Sequence, residues 1–213
     1  NNETWTTLHA QLEAPFNTGW ATKSWPVLSG ERFRYFRVYQ KGNYAYGPGQ
    51  GPNGSPYLYI GGFELYGDLC STTGVSPNVI SSLSVATGSL SAPGIEKNRE
   101  FAYTHDGDTN GVLYCIGSAD STEKWTNPAR TGLVKTKVSG QSWNEADKWN
   151  CLARASDNHS SSYWGGSLPL WFWVDLGAEY KIKPNYYTLR HGNNYNENFM
   201  QNWEFQGSND CEE

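Results

Sequence analysis

Apolar residues recur at every second position over short runs, and clusters of turn residues separate the runs. That period of two is the signature of β-strands with one face in a core. RFRYFRVYQ (32–40) carries it most clearly. Phe33 and Tyr35 alternate with Arg32 and Arg34, and Phe36 and Val38 then take up the inward face after an expected bulge. TWTTLHAQL (4–12), YLYIGGFELYGDL (57–69), GVLYCIG (111–117), TGLVKTKVSG (131–140) and IKPNYYTLRHG (182–192) read as further strands. LWFWVDLGAEY (170–180) is a nearly continuous apolar run, which predicts a strand buried on both faces. Only SWNEADKWNCLA (142–153) looks helical, with Ser142 placed to cap and Glu145 three residues on. The pattern predicts an all-β domain with little helix.

The segments between the runs differ in kind. KGNYAYGPGQGPNGSP (41–56) is a long Gly/Pro loop. Residues 71–95 contain no charge and are rich in Ser, Thr, Gly and Pro, so 71–98 reads as a linker. The last strand-like run, Trp203 to Gly207, leads into turn residues at GSND (207–210). Another strand should follow such a turn, and TWTTLHAQL at the other end of the chain has the pattern of that strand.

Composition narrows the class. Aromatic residues make up 15% of the 213, with 10 Trp and 14 Tyr, beside 23 Gly. Rings packing on pleated faces and glycines at corners suit a β-sandwich. Charged residues are 17% and the net charge is -5, which argues against a nucleic-acid partner. No apolar run approaches the roughly 18 residues needed for a membrane span. Cys70, Cys115, Cys151 and Cys211 match no zinc spacing and read as small buried thiols. Asn2, Asn53 and Asn158 each open an N-glycan acceptor triplet, which keeps a secreted origin open.

Enzymatic signatures are sparse. There is no GxSxG, HExxH or phosphate-binding glycine loop. With 21 acidic residues, a carboxylate pair for glycoside cleavage stays open. HDGDTNG (105–111) sets Asp106, Asp108 and Asn110 at alternate positions, an oxygen-rich spacing suited to Ca²⁺ or simply to a tight turn. Arg190 and His191 close a strand and could hold an anionic or sugar ligand, or pair within the sandwich.

Six segments together resemble a known family. LWFWVDLG, NYYTLRHG, NWEFQGSND, WTTLHAQ, RYFRVYQ and YIGGFELYG are similar to successive strands of a discoidin-like domain. That is the galactose-binding-like jelly roll of the coagulation-factor C-type domains. The likeness is nearest to the versions in large HECT-type ubiquitin ligases and BTB-domain proteins, where a W-x-NP motif also occurs, here Trp125, Asn127 and Pro128. The order is cyclic. Residues 1–70 resemble the second half of the fold and 99–213 the first. The resemblance implies a permuted domain, one period of an array cut out of register, or halves completed by a neighbouring chain. Two independent half-domains would leave an open sheet edge and a bare apolar face.

The resemblance also implies binding at loop tips. RASDNHSSSYWGGSLP (154–169) carries Tyr163 and Trp164, and HGNNYNENF (191–199) carries Tyr195. Rings beside amides and hydroxyls suit a peptide or a sugar. The function read from the chain is a non-catalytic binding or assembly module. Its partner would be a protein or further copies of itself, with a lectin-like module as the alternative. No cofactor other than Ca²⁺ is implied. The resemblance implies the cytoplasm, and used sequons would imply the outside of the cell.

Overall fold

A computed structural model describes residues 4–42, 57–71, 98–142, 147–154, 161–164, 168–192 and 198–211. These residues form two antiparallel sheets with very little helix, an all-β sandwich. The first sheet has the order β1 (Thr6–Gln11), β11 (Trp203–Ser208), β3 (Tyr35–Gln40), β9 (Leu170–Asp175), β6 (Lys135–Val138). The second runs β2 (Thr22–Pro26), β10 (Tyr180–His191), β4 (Tyr57–Ser71), β8 (Ser161–Trp164), β7 (Gln141–Ser142), with β5 (Asn98–Phe101) also paired to β4. Both sheets therefore draw strands from both sides of the 71–98 segment.

Ring packing joins the two layers. Phe63 of β4 meets Phe172 of β9 edge-on at 5.4 Å, and Tyr187 of β10 stacks on Phe205 of β11 at 4.2 Å. Trp25 of β2 meets Trp203 of β11 edge-on at 5.4 Å. β3 alternates as its sequence requires. Phe36 and Val38 of β3 are fully buried, while Arg37 and Tyr39, which alternate with them, face outward and stack on each other at 4.5 Å. β9 is buried on nearly every residue, in keeping with its apolar run. Its outer side is covered by a separate cluster in which Trp173 packs with Tyr35 and Cys211.

Four expectations are corrected. The irregularity expected inside 32–40 is a change of sheet. Phe33 pairs with Ile182 of β10, and β3 begins only at Tyr35, in the other sheet. Arg34 stands at the crossing and makes a two-pronged ion pair with buried Asp175, both contacts at 2.6 Å. GVLYCIG is a helix rather than a strand, α1 (Val112–Gly117). The helix expected over 142–153 is a single turn among the described residues, α2 (Asp147–Asn150). Tyr163 and Trp164 belong to strand β8, where Tyr163 pairs with Leu58 and Trp164 with Tyr57 of β4, so this part of 154–169 is not a loop tip.

Candidate functional site

The outer face of the second sheet carries a polar row that the core alternation leaves outward. On β4, Phe63 and Leu65 enter the core and Glu64 points the other way; on β10, Tyr187 and Leu189 enter it and Thr188 and Arg190 point away. The register sets Thr22, Arg190 and Gly62 in one line across β2, β10 and β4, and Ser24, Thr188 and Glu64 in the next. Residues 103–129 and Arg154 fold over this face. Between cover and sheet lies a half-enclosed cavity of about 260 Å³. Thr22, Glu64, Arg154, Thr188 and Arg190 form its polar wall; Leu113, Trp125 and Leu152 form its apolar wall.

Glu64 explains why α1 exists. The helix opens at Gly111 with no capping side chain of its own. Glu64 supplies the cap from 49 residues away. One carboxylate oxygen accepts from the Leu113 N–H at 2.7 Å and the Leu65 N–H at 3.0 Å; the other accepts from the Tyr114 N–H at 2.9 Å. Those helix N–H groups would otherwise be orphans, so a buried acceptor here substitutes for a local cap. Burial pushes the Glu64 carboxyl up to about 7, against the hydrogen bonds and the Arg154 charge at 3.8 Å, which pull it down. The fit leaves no space for a side chain at 111. A Cβ on Gly111 would lie 2.1 Å from Glu64 Cδ.

Two arginines complete the wall. Arg154 donates to the Gly107 and Asp108 carbonyls, both at 2.7 Å, and lies over the Tyr114 ring at 4.7 Å. Arg190 donates to the carbonyls of Gly61 at 3.3 Å and Arg154 at 3.2 Å, and lies over the Trp20 ring at 4.4 Å. Gly62 leaves room for this crossing: a Cβ there would come within 2.7 Å of the Ala153 carbonyl oxygen. Trp125 Nε1 is buried with no hydrogen-bond partner.

The sequence candidates separate. Arg190 lines the cavity, while His191, next along the strand, turns into the aromatic core between Phe16 and Phe199, at ring distances of 5.7 Å and 5.0 Å. Asp108 is buried and holds its own turn. It accepts from the Tyr66 hydroxyl at 3.0 Å, the Thr104 N–H and hydroxyl at 2.9 and 2.8 Å, and the Asn110 N–H at 3.0 Å. Burial raises its pKa, but these bonds outweigh burial and hold it below the usual carboxylate value. Asp106 faces Ser24 and Tyr103 instead, and the Asn110 amide donates to Thr104. Among the described residues no three His, Cys, Asp or Glu side chains gather as a metal set. Tyr163 and Trp164 are placed only by the backbone of β8. Tyr195, Asn2, Asn53 and Asn158 lie outside the described residues. Cys115 and Cys151 are buried thiols, and burial pushes Cys115 up to about 12.

Sequence reasoning missed Glu64, Arg154, Thr22 and Thr188. A usable signal existed for Glu64, the lone charge inside YIGGFELYG. Arg154, Thr22 and Thr188 carried none, because ordinary polar residues gain meaning only when strands align them.

Comparison with known proteins finds relatives over about half of the chain. E3 ubiquitin-protein ligase Ufd4 of Drosophila melanogaster is 36% identical over 111 residues, 52% of this chain and 4% of the relative. A BTB/POZ domain-containing protein of Arabidopsis thaliana is 32% identical over 117 residues, 53% of this chain and 14% of the relative. E3 ubiquitin-protein ligase hecd-1 of Caenorhabditis elegans is 32% identical over 116 residues, 54% of this chain and 4% of the relative. The chain thus spans a small fraction of each relative's length. No protein-family model matches it, and no solved structure does. Among the described residues no helix is long and apolar enough to cross a membrane.

Proposed function

We propose that this chain is a non-catalytic binding module of discoidin-like, galactose-binding-like type, serving protein–protein interaction inside a larger cytoplasmic protein. One observation carries the reading: a half-enclosed cavity of side-chain size on the sandwich, with two arginines and ring surfaces in its wall. Arg and aromatic residues in a desolvated pocket are what a partner's anchoring side chain needs. The relatives support the setting. The matched stretch is 4% to 14% of proteins named as ubiquitin ligases or as BTB/POZ domain-containing. Pairing of β1 with β11 supports a sandwich closed within one chain.

The test is a selection of displayed peptides on the folded chain, run beside a glycan array. Enriched peptides that bind with micromolar or better affinity, with a silent array, support the reading. Sugar binding with no enriched peptide overturns it in favour of a lectin.

A further inference from the structure

We infer that the outer edge of β1 takes an extended, uncharged segment of the partner as an added strand. The inference rests on the interaction reading above and adds a contact away from the cavity, on the first sheet.

Among the described residues the two sheets end in five edge strands, β1 and β6 on the first sheet and β2, β7 and β5 on the second. An edge strand offers a row of backbone N–H and C=O groups to any extended chain, and proteins blunt such edges with charge, proline or shortness. Four of the five are blunted in this way. β6 sets Lys135 and Lys137 in solvent, β2 has exposed Lys23 and Pro26, β5 carries Arg99 and Glu100, and β7 is two residues long. β1 has none of these devices. From Thr4 to Leu12 the chain holds no Asp, Glu, Lys, Arg or Pro. His9 turns inward onto the Tyr187 hydroxyl at 2.8 Å, and burial lowers its pKa, so it brings no charge to the edge at pH 7.

The strand is regular where it would be used. β1 shifts register between Thr7 and His9, and from His9 to Gln11 it runs in step with β11. Leu8 packs on the core and His9 on the Tyr187 ring, so the outward groups beyond the shift are Ala10, which is exposed, and Leu12, which is 75% exposed. Leu12 gives an added strand an apolar side chain to pack on.

The edge selects its occupant. Alternating main-chain donors and acceptors pair with another extended chain, not with a helix. An uncharged edge matches an uncharged segment, because a charged one would lose hydration there and gain no partner. A second copy of this chain fits poorly. Self-pairing would set two register shifts in one ladder, and the regular stretch of about four residues spans only about 13 Å. That is too short for the roughly 1,000 Å² a stable interface buries. A segment held close by a larger partner needs no such area.

The test uses the whole chain and two capped peptides. One alternates threonine and valine; the other has proline at every second position and cannot complete a ladder. The readout is amide hydrogen exchange, resolved by NMR. Exchange slowed about tenfold or more within Thr6–Leu12 by the first peptide, and unchanged by the second, supports the inference. Ala10→Lys with Leu12→Lys charges the edge as β6 is charged, and should weaken the first peptide about tenfold. The comparison of the two peptides needs no variant, so it decides even if the paired lysines prevent folding. No slowing at millimolar peptide, slowing confined to β2, β6 or the loops, or equal effects of both peptides overturns the inference. Slowing of the β1 amides with protein concentration alone would make a second copy the occupant and overturn it too. Displayed peptides that bind wild type and the lysine variant alike overturn it while leaving the interaction reading standing.

Discussion

At Glu64, a carboxylate is held in a place where its charge is costly and its oxygens are indispensable. Its folded-state value of about 7 lies above the ordinary 4.5, so the folded protein holds that proton more tightly than the unfolded chain does. The stability this contributes is fully present below about pH 4.5 and is lost as pH rises through 7. A shift of that size is worth about 3 kcal/mol. Of its titratable neighbours, Asp108 is held below that window and Tyr66 is pushed above it. Urea unfolding from pH 5 to 8 should show wild type losing about that much relative to Glu64→Gln, whose amide does not titrate. A parallel pair of curves would refute the assignment. Gly111→Ala probes the same fit sterically. Its Cβ would force Glu64 off the helix end, and the melt should show a loss of about 2 kcal/mol or more, from overpacking and a lost cap together.

Among the elements, the decisive one is the segment that changes sheet at Phe33–Tyr35. Arg34 is partly exposed, but its partner Asp175 is 1% exposed. Removing the arginine leaves a buried carboxylate uncompensated, so Arg34→Ala should lower unfolding free energy by about 3 kcal/mol. Asp175→Asn should cost less, because it removes the buried charge as well. Denaturant titrations of the two variants settle the order. At this scale most of the fold was legible. β1, β3, β4, β9, β10 and β11 declare themselves by alternation or by a long apolar run, since a strand with one face in a core must alternate. α1 did not. VLYCIG carries β-branched and aromatic residues that favour a strand, and only the Glu64 cap and packing on β4 turn it into a helix. β8 was hidden for the opposite reason: Ser and Gly around Tyr163 and Trp164 read as loop, while pairing with β4 makes them a strand.

The whole molecule is interleaved. β1 pairs with β11 from Thr6↔Gly207 to Gln11↔Trp203, and the Thr4 N–H donates to the Asp210 carboxylate at 3.0 Å. Since both sheets mix strands from 4–71 and 98–208, neither segment can bury its apolar faces alone. Unfolding should therefore be one cooperative transition, with tryptophan fluorescence and far-ultraviolet dichroism coincident; two separated transitions would show that the halves fold apart. Binding belongs to this scale too, because the cavity joins β2, β4, β10, the 103–129 cover and Arg154. Of its wall, only Arg190 was recognised as a candidate from the chain, and His191 beside it went to the core.

The sequence by itself determined the all-β class, the main strands and which face of each is buried, because these follow from local period and residue type. Only the tertiary structure decided that an apolar run is a helix, that Asp108 holds its own turn, and that Thr22, Glu64, Arg154, Thr188 and Arg190 share one cavity. The physical reason is separation along the chain. Charge, capping and donor convergence depend on distances between residues tens to more than a hundred positions apart, and only strand register together with the cover folded over the sheet brings them within a few ångströms.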